Sequence, residues 1–168
     1  MDKKNALKSS AAIALIAVAI FLLARGLFSR STSSEDGAQV WFYNEGAKKL
    51  YAMPRDSVPP DEKSRGVRAM VVTFRGQGNK ERKIAYLQSY SPDLKKMLEA
   101  AGAAHRASQP YTGKIPAQGS AWFQDSTLVK RVTDSGWSTA GSDEGRQILA
   151  EWKTWRGPDG DEPIISTP

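Results

Sequence analysis

Past residue 38 the chain alternates short aromatic or β-branched runs with turn residues, and two of these runs lead into helical repeats. Val40–Tyr43 and Leu50–Met53 flank "NEGAKK", in which Asn44 and Gly46 suit left-handed backbone, and this predicts a β-hairpin. Pro54, Pro59 and Pro60 stop both pairing and helix, so Pro54–Arg65 reads as a loop. "GVRAMVVTF" (Gly66–Phe74) is apolar on both faces past Arg68, the pattern of a central strand. "RGQGNKE" is its turn and Arg82–Tyr90 the returning strand. Ser91 then caps a helix with Pro92 at its first position and Asp93 in its first turn. Leu94, Met97, Leu98 and Ala101 recur at helical spacing, and Gly102 is predicted to end the helix. Ala103–Gln118, interrupted by Pro110, Gly113 and Pro116, reads as a long loop.

The last third repeats the order of strand, then helix. Ala121–Gln124 and Leu128–Val132 are predicted strands about a turn at Asp125–Thr127, and Trp137 adds a short one. "VWFYN" at Val40 and "AWFQD" at Ala121 share Trp-Phe and an amide or acid that opens a turn, which suits two hairpins with similar needs. Ser142 caps a second helix with Asp143 and Glu144 at its positive end. Ile148, Leu149, Trp152 and Trp155 form its buried face, and Gly157-Pro158 ends it. The expected core sets Met70, Val72 and Phe74 on one side of the central strand, beside Ile84 and Tyr86, under Leu94, Leu98 and Trp152. The fold class expected is α+β: an N-terminal transmembrane helix, then a small domain of antiparallel β-hairpins with two packing helices.

The first 38 residues read differently. "SSAAIALIAVAIFLLA" (Ser9–Ala24) has no charge, and Ser9–Phe28 as a helix spans about 30 Å, the thickness of a hydrocarbon core. Lys3, Lys4 and Lys8 precede it and Arg25 and Arg30 follow, so the basic bias favours a cytoplasmic N-terminus and an exported remainder. The alternative is a cleaved secretory signal, for which Ala24-Arg25-Gly26 is a poor cleavage site. A pilin-type anchor is excluded by the lack of a Glu within Ala11–Ala24. The expected division is a cytoplasmic tail over 1–8, a transmembrane helix over 9–28, a Ser-rich flexible linker over 29–38, an exported α+β domain over 39–157 and a disordered tail over 158–168. The expected location is the cell (inner) membrane, single-pass, with the domain periplasmic or extracellular.

Charge adds little beyond that. The 24 basic and 18 acidic residues give +6, but Lys3, Lys4, Lys8, Arg25 and Asp2 lie in the first 28 positions, leaving +3 for the rest. So mild a balance argues for no nucleic-acid partner. The chain has no cysteine, which excludes lipoprotein anchoring, disulfides, thiolate catalysis and cysteine-ligated zinc.

Along "WFYNEGAKKLYAMPRDSVPP", "GVRAMVV…KIAYLQSY" and "LVKRVTDSGWSTAGSDEG" the chain resembles a group of uncharacterised small bacterial proteins of planctomycete type, which carry an N-terminal membrane segment. The likeness covers most of Val40–Arg146 and implies the architecture only, because the group has no known activity. In that group the turn held here by Arg75–Gly78 can carry cysteines; this chain has none there, so no metal or redox role is implied.

Motifs for chemistry are sparse. His105, the single histidine, lies in "AGAAHRASQP" with no nucleophile signature near it. Gly76 and Gly78 sit between two antiparallel strands, unlike a phosphate-binding loop that opens a helix. Arg75, Lys80, Arg82 and Lys83 make that turn basic, able to meet lipid headgroups or an anionic polymer. Asp159, Asp161 and Glu162 lack the spacing of a calcium loop. The one platform the residues suggest is aromatic: Trp41, Tyr43 and Tyr51 on the first hairpin, with burial in a core as the competing role. The expected function is therefore a membrane-anchored extracytoplasmic structural or binding protein, non-catalytic, without cofactor or metal. Its partners would be the lipid bilayer through Ser9–Phe28 and an envelope protein or anionic polymer. The alternative is an envelope-polymer hydrolase whose carboxylates meet only in the fold.

Overall fold

The structure is a computed structural model that describes residues 38–75 and 81–168. The expected cytoplasmic tail, membrane helix and linker up to residue 37, and the turn at Gly76–Lys80, lie outside the described residues. Strands β1 (Gln39–Asn44), β2 (Lys49–Pro54), β3 (Gly66–Phe74) and β4 (Lys83–Tyr90) are followed by helix α1 (Pro92–Arg106). Helix α2 (Ala121–Asp125), β5 (Thr127–Lys130), β6 (Ser138–Thr139), helix α3 (Asp143–Glu151) with a 3-10 turn at Trp152–Thr154, and β7 (Pro163–Ile165) complete the order. All strand pairs are antiparallel, in the order β2-β1-β3-β4-β5-β6, with β7 also on β3. The domain is thus a mixed α+β fold, an antiparallel sheet with two packing helices.

The apolar runs explain the layout. β3 lies between β1 and β4 and is buried along both faces, as its unbroken apolar sequence requires. One face packs Val72, Tyr86 and Val129 against Ile148 of α3, with Leu149, Trp152 and Trp155 around them. The other joins Val67, Ala69, Val71 and Leu87 to Trp41, Tyr43, Leu50, Ile84 and Trp137, none of them helical. Each fully buried aliphatic side chain contributes about 1.5–3 kcal/mol, so Val71, Val72, Leu87 and Ile148 are main supports of the domain.

Both caps form as the sequence requires. Ser91 Oγ accepts from Leu94 N and Ser142 Oγ accepts from Gly145 N, with Pro92, Asp93, Asp143 and Glu144 in the first turns. Gly145 permits α3 to start against β6, since a Cβ there would run into the Thr139 carbonyl.

Several expectations are corrected. The left-handed residue of the first turn is Lys48 (φ 50°), not Asn44 or Gly46; Asn44 Oδ1 instead accepts from Ala47 N at 2.8 Å. α1 runs through Gly102 to Arg106, where Arg106 bonds to Asp56 at 2.5 Å and ties the helix to the 55–65 loop. Lys95–Glu62, at 3.0 Å, makes a second tie. Ala121–Asp125 is a short helix, not a strand, because Ser120 Oγ accepts from Phe123 N and caps it. α3 ends at Glu151, short of Gly157-Pro158. Ile84 joins the helix-free face, because the β3–β4 register passes from Met70↔Tyr86 to Val71↔Ile84 and leaves Ala85 as an extra residue. The tail expected over 158–168 is no loose end: β7 pairs with Val72–Phe74.

Candidate functional site: an arginine-floored cleft

Register places the polar residues of the central strands side by side. Arg68 of β3 stands opposite Gln88 of β4, and Gln88 opposite Val129 of β5, so the three form one row across the helix-covered face. They floor a cleft of ≈ 450 Å³ with Tyr90. Phe123 and Gln124 of α2 wall one side, and Arg146 and Leu149 of α3 the other. Phe123 is buried and meets the Tyr90 ring edge-on at 6.4 Å, which fixes the floor to the wall.

The charged side chains lining the cleft, Arg68 and Arg146, are cations, and the neutral ones around them bring donors as well as acceptors. Gln88 Nε2 donates to Tyr90 Oη at 3.1 Å, leaving the phenolic proton of Tyr90 free to donate onward. Arg68 is half-buried and donates from Nη2 to the Arg55 carbonyl oxygen at 3.2 Å. Among the described residues no carboxylate pairs with Arg68. Its charge is felt at Tyr86 next in the sheet: burial raises the Tyr86 phenol above its ordinary value, and Arg68 works in the other direction. Arg146 sits at the rim, bonded to Asp143 Oδ1 at 2.5 Å and to the Gly141 carbonyl. Among the described residues no Asp or Glu lines the cleft. Such a set of cationic and neutral donors accepts an anion or a polar group rich in lone pairs.

The aromatic platform is divided. Trp41 and Tyr43 lie on the helix-free face, whereas Tyr51 pairs with Phe42 on the opposite one, ring centroids 6.2 Å apart, and bonds to Ser64 Oγ. Phe42 is wholly buried, and Trp41, Tyr43 and Tyr51 are half-buried. Trp41 carries Arg82 over its ring, 4.5 Å from the centroid, while Trp41 Nε1 and Arg82 Nε are buried with no hydrogen-bond partner among the described residues. Across the same face, Lys130 lies 5.0 Å from the Trp137 ring centroid and pairs with Glu45 at 2.5 Å. Lys83 is drawn to Phe74 instead, 5.3 Å away, so Arg82 and Lys83 of the basic turn serve aromatic rings.

The carboxylates do not form a facing pair in the large cleft. Asp56, Asp61 and Glu99 gather about a smaller space of ≈ 300 Å³ between α1 and the 55–65 loop. Each has a structural partner: Asp56 has Arg106, Glu99 has Lys95, and Asp61 accepts from the Ser64 backbone and hydroxyl. Those bonds hold the Asp61 carboxyl below its ordinary value, and partial burial opposes them. His105 is exposed in the last turn of α1. Among the described residues no group of three or more His, Cys, Asp or Glu is placed to hold a metal ion, and no helix is long and apolar enough to cross a membrane. Sequence reasoning missed Arg68, Gln88, Tyr90 and Arg146 as a site. The signal present was a lone Arg in one apolar strand and a lone Gln in the next. Comparison with protein-family models, curated proteins and solved structures finds no match for the chain.

Proposed function

We propose that this chain is a membrane-anchored, extracytoplasmic binding protein whose α+β domain takes an anionic ligand in the cleft above Arg68. The observation that carries the reading is Arg68 itself, a half-buried guanidinium on a central strand with no carboxylate partner among the described residues. A cation held there costs solvation that an anionic ligand repays, and Gln88, Tyr90 and Arg146 stand round it as further donors. The membrane anchor rests on the uncharged Ser9–Ala24 run and the basic residues before it. The role is capture or attachment, with recognition resting on charge and donor geometry.

Titration of inorganic phosphate and acetate into the full chain, in nanodiscs of zwitterionic lipid, tests this. Saturable binding is expected, weakened at least tenfold by Arg68→Gln at an unchanged melting temperature. Binding untouched by the substitution would place the anion elsewhere, and the lack of any saturable binding would remove the reading.

A further inference from the structure

A second space adjoins the cleft. β1 pairs with Gly66–Arg68 of β3, and β7 pairs with Val72–Phe74 along the same edge. Between the two, the ladder leaves Ala69–Val71 open apart from one bond from Ser166 N to the Val71 carbonyl at 2.8 Å. The opening is a slot of ≈ 200 Å³ whose lining is mainly apolar: Val40, Trp41, Ala69, Met70, Val71 and Ile165. Arg68 and Gln88 belong to its wall as well as to the floor of the cleft, so one pair of polar side chains separates an apolar slot from a donor-rich cleft.

We infer that the ligand is an anionic amphiphile, its head held by Arg68 and Gln88 in the cleft and a short apolar tail lodged in the slot between β1 and β7. The inference rests on the anion-binding reading of the cleft and adds the class of ligand. Three features carry it. The slot is large enough, since an apolar cavity of about 150 Å³ already holds benzene, and ≈ 200 Å³ takes a chain of about six carbons. Its chemistry is opposite to that of the cleft, which offers two arginines and the glutamine amides. The shared wall sets the charged and apolar parts at adjoining places, as an amphiphile requires and as a simple inorganic ion does not. Trp41 at the slot wall, already stacked under Arg82, gives the tail a flat apolar surface and gives the experiment a fluorophore.

The shared chemistry is an acidic head on an alkyl chain, which either a soluble amphiphile or a bilayer lipid can supply. The test titrates methyl phosphate, hexyl phosphate, hexanoate and hexanol into the full chain in zwitterionic nanodiscs, by calorimetry and by Trp fluorescence. Each methylene taken out of water is worth roughly fourfold in affinity. Hexyl phosphate is therefore expected to bind at least tenfold more tightly than methyl phosphate, and hexanol far more weakly than either acid with the same chain. Val40→Phe, which narrows the slot, and Ile165→Asn, at an exposed position of its lining, are both expected to reduce the chain-length gain below about threefold while leaving methyl phosphate unchanged. Equal affinity for methyl and hexyl phosphate would overturn the amphiphile and leave the anion cleft standing. Failure of every acid to bind would end both. A chain-length gain that survives both slot substitutions, or hexanol binding as well as hexyl phosphate, would also overturn the inference. Competition by anionic lipid in the nanodisc would assign the head to a bilayer lipid, and its lack to a soluble amphiphile; either supports the shared chemistry.

Discussion

Arg131 holds the carboxylate of Glu151 in a two-pronged grip, Nε to Oε1 at 2.9 Å and Nη2 to Oε2 at 2.7 Å. The first of these residues follows β5 and the second ends α3, so the pair clamps the helix that walls the cleft onto the end of β5. Both side chains are about three-quarters buried and the geometry is that of a planar fork meeting a carboxylate. Asp134 adds a further bond to Arg131 at 3.3 Å.

Glu151→Ala is expected to lower stability by about 1–2 kcal/mol, and a double-mutant cycle with Arg131→Ala to show a coupling of similar size. Urea unfolding measures both. A coupling within error of zero would make the grip a surface pair without consequence.

Trp41 decides between platform and core. It is half-buried against Val67, Ala69, Val71 and Leu87 and lies beneath Arg82. Trp41→Ala is expected to cost about 3 kcal/mol, read as a fall in melting temperature. An unchanged melt would free Trp41 from the core and restore it as a recognition aromatic.

Much of this architecture was legible because it is local. Val40–Tyr43 and Leu50–Met53 needed only a turn between them, and Ser91 and Ser142 announced their helices through caps one turn long. What failed depended on partners far away in the chain. Ala121–Asp125 has the composition of a strand, and a single hydroxyl from Ser120 turns it into a helix. Pro163–Ile165 is too short to declare itself, and is a strand because β3 offers it an edge. The extra residue at Ala85 moves Ile84 to the other face, a shift no alternation rule contains. The cleft was hidden for the same reason. Arg68 and Gln88 each looked like one polar residue in an apolar strand, and only the register sets them opposite one another.

Asp61 gives the domain an acid limit. Its bonds from Ser64 keep the carboxyl below the ordinary carboxylate value of about 3.9, so the folded state favours the ionised form. The associated stability is present above the unfolded value and disappears as pH falls through the folded one. Stability measured from pH 5 downward is expected to decline below about pH 4, and Asp61→Asn to flatten that decline. Identical slopes in the two proteins would remove Asp61 from the acid transition.

The anchor has its own test. Carbonate washing is expected to leave the protein in membranes, while protease applied to spheroplasts removes the domain beyond residue 38. Release of a shortened soluble form would select the cleaved-signal alternative, and protection from protease would reverse the orientation.

The cleft is tested most directly by nuclear magnetic resonance of the full chain in nanodiscs during titration with hexyl phosphate. Side-chain amides of Gln88 and Gln124 and the Nε–H of Arg68 are expected to shift together and saturate, while the exposed Arg106 and Arg156, paired with Asp56 and Glu162, stay still. Saturating shifts at Arg106 or Arg156 with Arg68 unmoved, or no saturating shift at Arg68 at all, would contradict an anion site above Arg68.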